Sequence, residues 1–166
     1  MALCIKEKIF SSTKKYEISN ENGELRYTTE GRNKGQFFVA GNQIHIFDRD
    51  QHEVAFVHQV FHSIRPTYEL YLHGELKGTI KPKVSFFKPH YQVDFLSYRI
   101  DGKPLGWHFD IYQKDILIAQ LEPRMITIGS VYYLSCPNPA DELSALVLAI
   151  AIDLIGNQAN IGWDFM

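Results

Sequence analysis

The sequence predicts a mainly β protein, a closed antiparallel barrel of about twelve strands around a central apolar C-terminal α-helix. Between Leu3 and Leu134, apolar and polar residues alternate in short runs, which is typical of strands with one buried face. The segment from Ala145 to Ile152 then contains eight successive apolar residues. A helix lying on one side of a sheet would show a polar stripe, so this helix is expected to be covered on all sides.

The strands are predicted from period-two alternation and from the turns between them. Tyr16 and Ile18 share one face, and Tyr91, Val93 and Phe95 share another. Dipeptides rich in glycine, asparagine and aspartate separate the runs and favour hairpin turns. The predicted turns are Asn22-Gly23, Gly41-Asn42, Asp50-Gln51, His73-Gly74, Asp101-Gly102 and Lys114-Asp115.

The helix is predicted over about residues 139–155. Asn138 can cap its N-terminus, and Pro139 suits the first helical position. Gly156 is placed to end it. A tail then follows over residues 157–166, and it either packs across the barrel mouth or offers a peptide to a partner.

A membrane is the other environment that could cover an apolar helix. A spanning helix needs about 20 apolar residues, and this run is shorter. Asp153 near the end of the run makes insertion still less favourable. The preceding strands supply a protein wall instead, so we expect enclosure in the barrel and no transmembrane segment.

Composition narrows the class of protein. The 166 residues suit one domain, 1–166, and no linker divides them. A net charge of −2 argues against a broad nucleic-acid surface. The two cysteines form no disulfide framework, and the N-terminus lacks an apolar signal segment. We therefore expect a cytoplasmic protein with reduced thiols, no cofactor and no nucleic-acid partner.

Several segments together resemble the LURP-one-related family, which belongs to the tubby C-terminal-like superfamily along with the phospholipid scramblases. The resemblance covers about residues 3 to 155, and small bacterial members are the most similar. The matching segments are Ile5-Lys6-Glu7-Lys8-Ile9-Phe10, Tyr16-Glu17-Ile18 with Asn22-Gly23, Ile44-His45-Ile46-Phe47-Asp48, Thr67-Tyr68-Glu69-Leu70-Tyr71, Asp141-Glu142-Leu143 and Leu146-Val147-Leu148-Ala149-Ile150-Ala151-Ile152-Asp153.

The resemblance implies a twelve-stranded barrel around a central helix, and it implies little about activity. Tubby proteins bind phosphoinositides, and scramblases move lipids in response to calcium, but a shared fold does not transfer a function. Before the helix, Cys136-Pro137-Asn138-Pro139 stands where an acidic calcium-binding loop would be needed, and no cysteine cluster offers lipidation. Calcium-driven scrambling is therefore not expected.

A barrel filled by its own helix leaves no lumen, so binding is expected on the outer wall or at a rim. The candidate ligand-binding patch combines cations with aromatic rings, which suits an anionic membrane surface or phosphoinositide head groups. Its members are Lys77, Lys81, Lys83, Phe86, Phe87 and Lys88. The alternative is a solvated strand face with both phenylalanines packed inward. Pro82 indicates a strand end or an edge strand.

Neither a catalytic nor a metal site is predicted. The seven histidines form no tight ligand motif, although His52 and His58 could share a strand face. His108 and Asp110 lie two residues apart, which permits a surface hydrogen bond or an acid–base pair. There is no Gly-x-Ser-x-Gly elbow and no glycine-rich phosphate loop.

Asp153 is an unusual residue in an otherwise apolar helix. Near a helix C-terminus a negative charge is unfavourable. We expect the carboxylate to satisfy a main-chain N–H or an arginine at the barrel end, with a polar latch at the rim as the functional alternative.

Three functions follow from the sequence. The first is a non-enzymatic binding or scaffold module for a protein or an anionic lipid surface, with peripheral membrane association as an option. The second is a scramblase-like membrane protein anchored by its helix. The third is an enzyme, which would require a concave polar site that the sequence does not assemble.

Overall fold

The computed structural model describes residues 2–8, 15–33, 42–60, 65–83, 90–102, 108–125 and 130–163. These residues form twelve β-strands, a 3₁₀ turn over Pro139–Asp141 and one α-helix, α1, over Glu142–Trp163. The strands are β1 (Ala2–Lys8), β2 (Lys15–Asn20), β3 (Leu25–Asn33), β4 (Asn42–Phe47), β5 (Glu53–Val60), β6 (Thr67–Leu72), β7 (Glu75–Lys83), β8 (His90–Phe95), β9 (Tyr98–Gly102), β10 (Phe109–Gln113), β11 (Ile116–Met125) and β12 (Ser130–Ser135).

All twelve strands belong to one antiparallel sheet, with the order β8-β7-β6-β5-β4-β3-β2-β1-β12-β11-β10-β9. The pairing of β1 with both β2 and β12 joins the two ends of the strand sequence. The sheet curls into a nearly closed barrel, as the sequence predicted. Within the described ranges, no ladder of hydrogen bonds joins β8 to β9. We call this interruption of the sheet between β8 and β9 the seam.

The short turns and the start of the helix lie at the same end of the barrel, here called the proximal end. Because consecutive strands alternate in direction, the connections after β2, β4, β6, β8, β10 and β12 all fall there, and β1, β3, β5, β7, β9 and β11 end at the opposite, distal end. The predicted turns at Asn22-Gly23, Asp50-Gln51, His73-Gly74 and Lys114-Asp115 are confirmed.

Two turn assignments differ from the prediction. Asp101-Gly102 was expected to turn but continues β9. A turn that the sequence analysis missed lies at Leu96-Ser97, where both residues have positive φ, 51° and 57°. Of the predicted Gly41-Asn42 turn, Gly41 lies outside the described residues and Asn42 begins β4.

The core lies between the inner face of the barrel and α1. Alternate residues of the strands point inward, and Ile18, Ile46, Val57, Leu70 and Ile80 are each 0% exposed. Every helix residue from Ala145 to Ile155 is buried, with exposures between 0% and 8%. The predicted enclosure of the helix is therefore confirmed.

The helical segment begins where the sequence predicts, but it ends later than predicted. Asn138 caps a 3₁₀ turn by accepting a hydrogen bond from the Ala140 N–H at 3.1 Å, and α1 starts only at Glu142. At the other end the helix continues through Gly156 to Trp163. A glycine ends a helix only where the chain turns away after it, and here the backbone stays helical.

Candidate functional site

The interior of the barrel is occupied by the side chains of α1. Every helix residue from Ala145 to Ile155 is buried, and Leu146, Val147 and Leu148 are all 0% exposed. A barrel of this kind is a packed core, so a ligand cavity of the lipocalin type is not available along the part of the helix that is buried. Candidate sites are therefore sought on the outer wall and at the ends.

Lys81 and Lys83 lie together on the outer face of β7. The neighbouring residue Ile80 points inward and is 0% exposed, whereas both lysines are exposed. In register they stand opposite Gln92 and His90 of β8, which are also exposed. Neither lysine has an ion-pair partner among the described residues. Among the described residues, the outer face of β7 and β8 therefore carries two lysines without ion-pair partners near the distal end, and Asp94 is also exposed on this face.

The other members of the predicted patch are distributed differently. Lys77 is the extra residue of a bulge in β7, and its Nζ atom lies 2.6 Å from Glu75 Oε2. The structure therefore does not group Lys77 with the two distal lysines. Phe86, Phe87 and Lys88 lie outside the described residues. Pro82, the penultimate residue of β7, lies beyond the segment that pairs with β6, in agreement with a strand end.

Asp153 lies in the middle of α1 and is only 5% exposed. Its carboxylate accepts hydrogen bonds from the hydroxyls of Tyr16 on β2 and Tyr132 on β12. Burial, and then the neighbouring carboxylate, raise the pKa of Tyr16 well above its usual value, so this hydroxyl remains a donor. The predicted structural role is supported, but the partners found are tyrosines rather than an arginine or a main-chain N–H.

A second buried carboxylate stands at the start of the helix. Glu142 is 3% exposed, and its Oε1 atom lies 3.1 Å from Arg26 Nη2 and 2.8 Å from the Tyr27 hydroxyl. Burial, and then the bond to Glu142, raise the pKa of Tyr27 to about 12. Glu142 Oε2 has no hydrogen-bond partner within the described ranges. This cluster ties α1 to β3 and was missed because Arg26 and Glu142 are 116 residues apart.

His108 and Asp110 form the hydrogen bond that their spacing permits, with His108 Nε2 3.0 Å from Asp110 Oδ1. The other ring nitrogen lies 3.5 Å from Glu122 Oε1 on β11, and Gln120 Nε2 donates to Asp110 at 2.9 Å. Among the described residues, neither ring nitrogen faces a hydroxyl or thiol that it could activate. The cluster therefore joins β10 to β11 without supplying a nucleophile.

The outer wall of β4, β5 and β6 carries a row of stacked rings that the sequence analysis did not single out. Phe56 stacks on Tyr71 with centroids 4.0 Å apart, and His45 stacks on the other side of Phe56 at 5.2 Å. The three residues are directly opposite one another in register. Cross-strand pairs of aromatic residues stabilise a sheet, and this role accounts for the row.

His52 and His58 do not come together. His52 lies 3.6 Å from Asp48 in the β4–β5 turn, and His58 lies 3.3 Å from Glu69 on β6. Asp48, Asp50 and His52 have potential ligand atoms within 4.8 Å of one another. Asp48 Oδ1 already accepts the main-chain N–H groups of the other two at 2.9 Å, so the cluster is explained by the turn.

The fold defines a class of protein: a helix-filled antiparallel barrel whose accessible surface is its outer wall. Within the described ranges, no helix combines the length and the apolarity needed to cross a bilayer. The family model described as LURP-one-related matches residues 1–153, and the chain belongs to this family.

One sequence relative and one solved structure are similar to the chain. The chain is 24% identical over 153 residues to the uncharacterized protein YxjI of Bacillus subtilis (strain 168), covering 92% of each chain. It is also similar to an X-ray structure of a protein from Arabidopsis thaliana, with a TM-score of 0.59 and 15% identity. That match covers 92% of this chain and 91% of the plant protein, and at this identity it shows the fold alone.

Proposed function

We propose that the protein is a non-enzymatic binding module that engages an anionic surface with the outer face of β7 and β8. The observation that carries the proposal is the exposed pair Lys81 and Lys83, with His90 beside them and no carboxylate paired to either lysine among the described residues. The filled interior supports it, because it directs binding to the outer wall. Anionic lipid head groups are the proposed ligand class.

The expected affinity is low. Each basic side chain near an anionic membrane contributes about 1 kcal/mol, so two lysines supply roughly 2 kcal/mol. This is enough for reversible, salt-sensitive association and too little for permanent anchoring. The enclosed helix supports the peripheral mode over the scramblase-like alternative, since exposing Ala145 to Ile155 to lipid would require the barrel to open.

The test is co-sedimentation with vesicles of phosphatidylserine and phosphatidylcholine at low and at physiological salt. The bound fraction is expected to fall sharply in the double variant Lys81→Glu, Lys83→Glu. The matched control is Lys114→Glu, an exposed lysine in the β10–β11 turn. Unchanged sedimentation of the double variant, or an equal loss in the control, would refute the proposed site.

A further inference from the structure

Charge is distributed unevenly between the two ends of the barrel. The proximal connections are residues 21–24, 48–52, 73–74, 96–97, 114–115 and 136–141, and the structure describes all of them. They contain six carboxylates and two cations, a net charge of −4 with the histidines neutral: Glu21, Glu24, Asp48, Asp50, Asp115 and Asp141 against Arg49 and Lys114. The whole chain carries −2, so the remainder carries +2. The proximal end is therefore the acidic end of the molecule.

A second group of lysines lies on the outer wall where β1 ends and β2 begins. Lys6, Lys8 and Lys15 alternate with inward-facing residues and therefore point outward, whereas Glu7 faces the interior. Lys8 and Lys15 stand opposite each other in register, and Lys6 stands opposite Glu17. Glu17 forms an ion pair with Lys8, and neither of the other two lysines has an ion-pair partner among the described residues. These three lysines, here called the β1–β2 cluster, and the one carboxylate give this outer face a net charge of +2.

The β1–β2 cluster and the pair Lys81 and Lys83 lie at the same end of the barrel but on opposite sides. β1 ends and β2 begins at the distal end, and so do β7 and β8. In the sheet order β1 is the sixth neighbour of β7, which is half of the way around twelve strands. A flat surface against the wall of β7 and β8 cannot also reach β1 and β2, whereas a surface across the distal end lies near both.

We infer that the protein docks end-on, with the distal strand ends towards the anionic lipid surface and the acidic proximal turns away from it. The inference rests on the proposed function and adds the β1–β2 cluster as a second contact, on the far side of the barrel from Lys81 and Lys83. Each of the two groups supplies a net charge of +2. End-on docking therefore brings about twice as much positive charge to the surface as contact through the wall of β7 and β8 alone.

The acidic residues of the proximal half favour the same orientation. Glu75 and Lys81 are six residues apart on β7, which corresponds to about 20 Å along the strand. The electrostatic screening length at physiological salt is only about 8 Å. End-on docking places the proximal carboxylates beyond the reach of the surface potential, whereas docking through the wall of β7 and β8 places Glu75 and Asp94 beside it.

The first test is co-sedimentation of the double variant Lys6→Gln, Lys15→Gln with vesicles of phosphatidylserine and phosphatidylcholine. The loss of two cations from the contact is expected to lower the vesicle partition coefficient by at least about tenfold at low salt. The matched control is Lys77→Gln, Lys114→Gln, which removes the same charge from two exposed proximal positions and is expected to change binding by less than about threefold. Equal losses in the two double variants, or unchanged binding of the first, overturn the inference.

The outcome separates this inference from the proposed function. If the wild type does not bind the vesicles, or if Lys81→Glu, Lys83→Glu leaves binding unchanged, the proposed function fails and the end-on orientation fails with it. If that variant loses binding while Lys6→Gln, Lys15→Gln binds like the wild type, the proposed function stands and only the orientation is wrong.

Glu75→Gln distinguishes the two orientations by a gain of binding. Docking through the wall of β7 and β8 would bring the Glu75 carboxylate to the surface, and its removal would strengthen binding several-fold. End-on docking keeps residue 75 away from the surface, so binding at physiological salt is expected to change by less than about twofold. A several-fold gain overturns the inference.

Quenching of a fluorescent label by lipids with a nitroxide head group measures the orientation directly. Cys4→Ser removes the half-buried thiol, and Cys136 is only 2% exposed, so one introduced cysteine carries the label. Thr67→Cys places it at the distal start of β6, and Asn22→Cys places it in a proximal turn. Quenching is expected at residue 67 and not at residue 22, in variants whose circular dichroism matches the wild type. Equal quenching at both positions, or stronger quenching at residue 22, overturns the end-on orientation.

Discussion

Replacing Asp153 by leucine tests whether the polar group in the apolar helix is a structural partner of the barrel wall. The side chain is 5% exposed and accepts hydrogen bonds from the hydroxyls of Tyr16 and Tyr132. Leucine has the same number and branching of side-chain heavy atoms and is apolar like the surrounding core, so the substitution removes the acceptor without leaving a cavity. The expected effect therefore comes from the tyrosines that lose their acceptor.

The two hydroxyls contribute unequally to the expected loss. Tyr16 is 1% exposed, so its hydroxyl cannot turn to water, whereas Tyr132 is only partly buried. An unsatisfied buried donor costs about 1–3 kcal/mol. The substitution also removes a buried carboxylate and adds apolar surface to the core, and both changes offset part of the loss in the free energy of unfolding. We expect Asp153→Leu to lower the free energy of unfolding by about 1–3 kcal/mol, mostly through Tyr16.

The assay is urea unfolding followed by circular dichroism, with Asp153→Leu, Tyr16→Phe and the double variant measured together. With a urea slope of about 1–3 kcal/mol per molar, the single variant should unfold at a midpoint roughly 1 M lower. The double variant should be more stable than Asp153→Leu, because phenylalanine leaves no orphaned hydroxyl. An unchanged midpoint for Asp153→Leu, or strictly additive losses in the double variant, would refute this reasoning.

Two further substitutions test how the strands and the helix are held. Gly78→Ala would place a Cβ 1.9 Å from a main-chain oxygen of β8. This clash should lower the free energy of unfolding, measured in urea melts, by at least about 2 kcal/mol. Thr79→Ala is the near-neutral control. Arg26→Met should lower stability by more than about 1 kcal/mol, because its partner Glu142 is buried. Lys8→Met, which breaks an exposed ion pair, should cost less than about 1 kcal/mol, and equal losses for Arg26 and Lys8 would contradict this account.

The architecture could be predicted because it depends on patterns that are local in sequence. Alternation identifies strands, and dipeptides that contain glycine, asparagine or aspartate identify four of the turns, with Gly23 and Gly74 at positive φ. The Leu96-Ser97 turn escaped because neither residue is a signature of positive φ, and leucine is disfavoured there. Asp101-Gly102 gave the opposite error, since the dipeptide is typical of a turn but lies in β9 and pairs with β10. These two errors lie at opposite ends of β9.

The side-chain partners could not be predicted because they depend on contacts between distant parts of the chain. Asp153 and Tyr16 are 137 residues apart, and Glu142 and Tyr27 are 115 residues apart. The sequence indicates such groups only where a residue does not fit its surroundings, as with the carboxylate of Asp153 in an apolar helix. His108 and Asp110 were accessible to prediction because both lie on one strand face two residues apart.

The buried helix explains how a barrel can tolerate a seam. In a hollow or small barrel, hydrogen bonding between all neighbouring strands holds the structure together, and a missing strand pair exposes the core. Here α1 contacts β5, β6, β7, β11 and β12, so strands on both sides of the seam are anchored to a common centre. If the amides of β8 and β9 exchange as slowly as those of β5 in the free protein, β8 and β9 are held together in solution and the seam is closed.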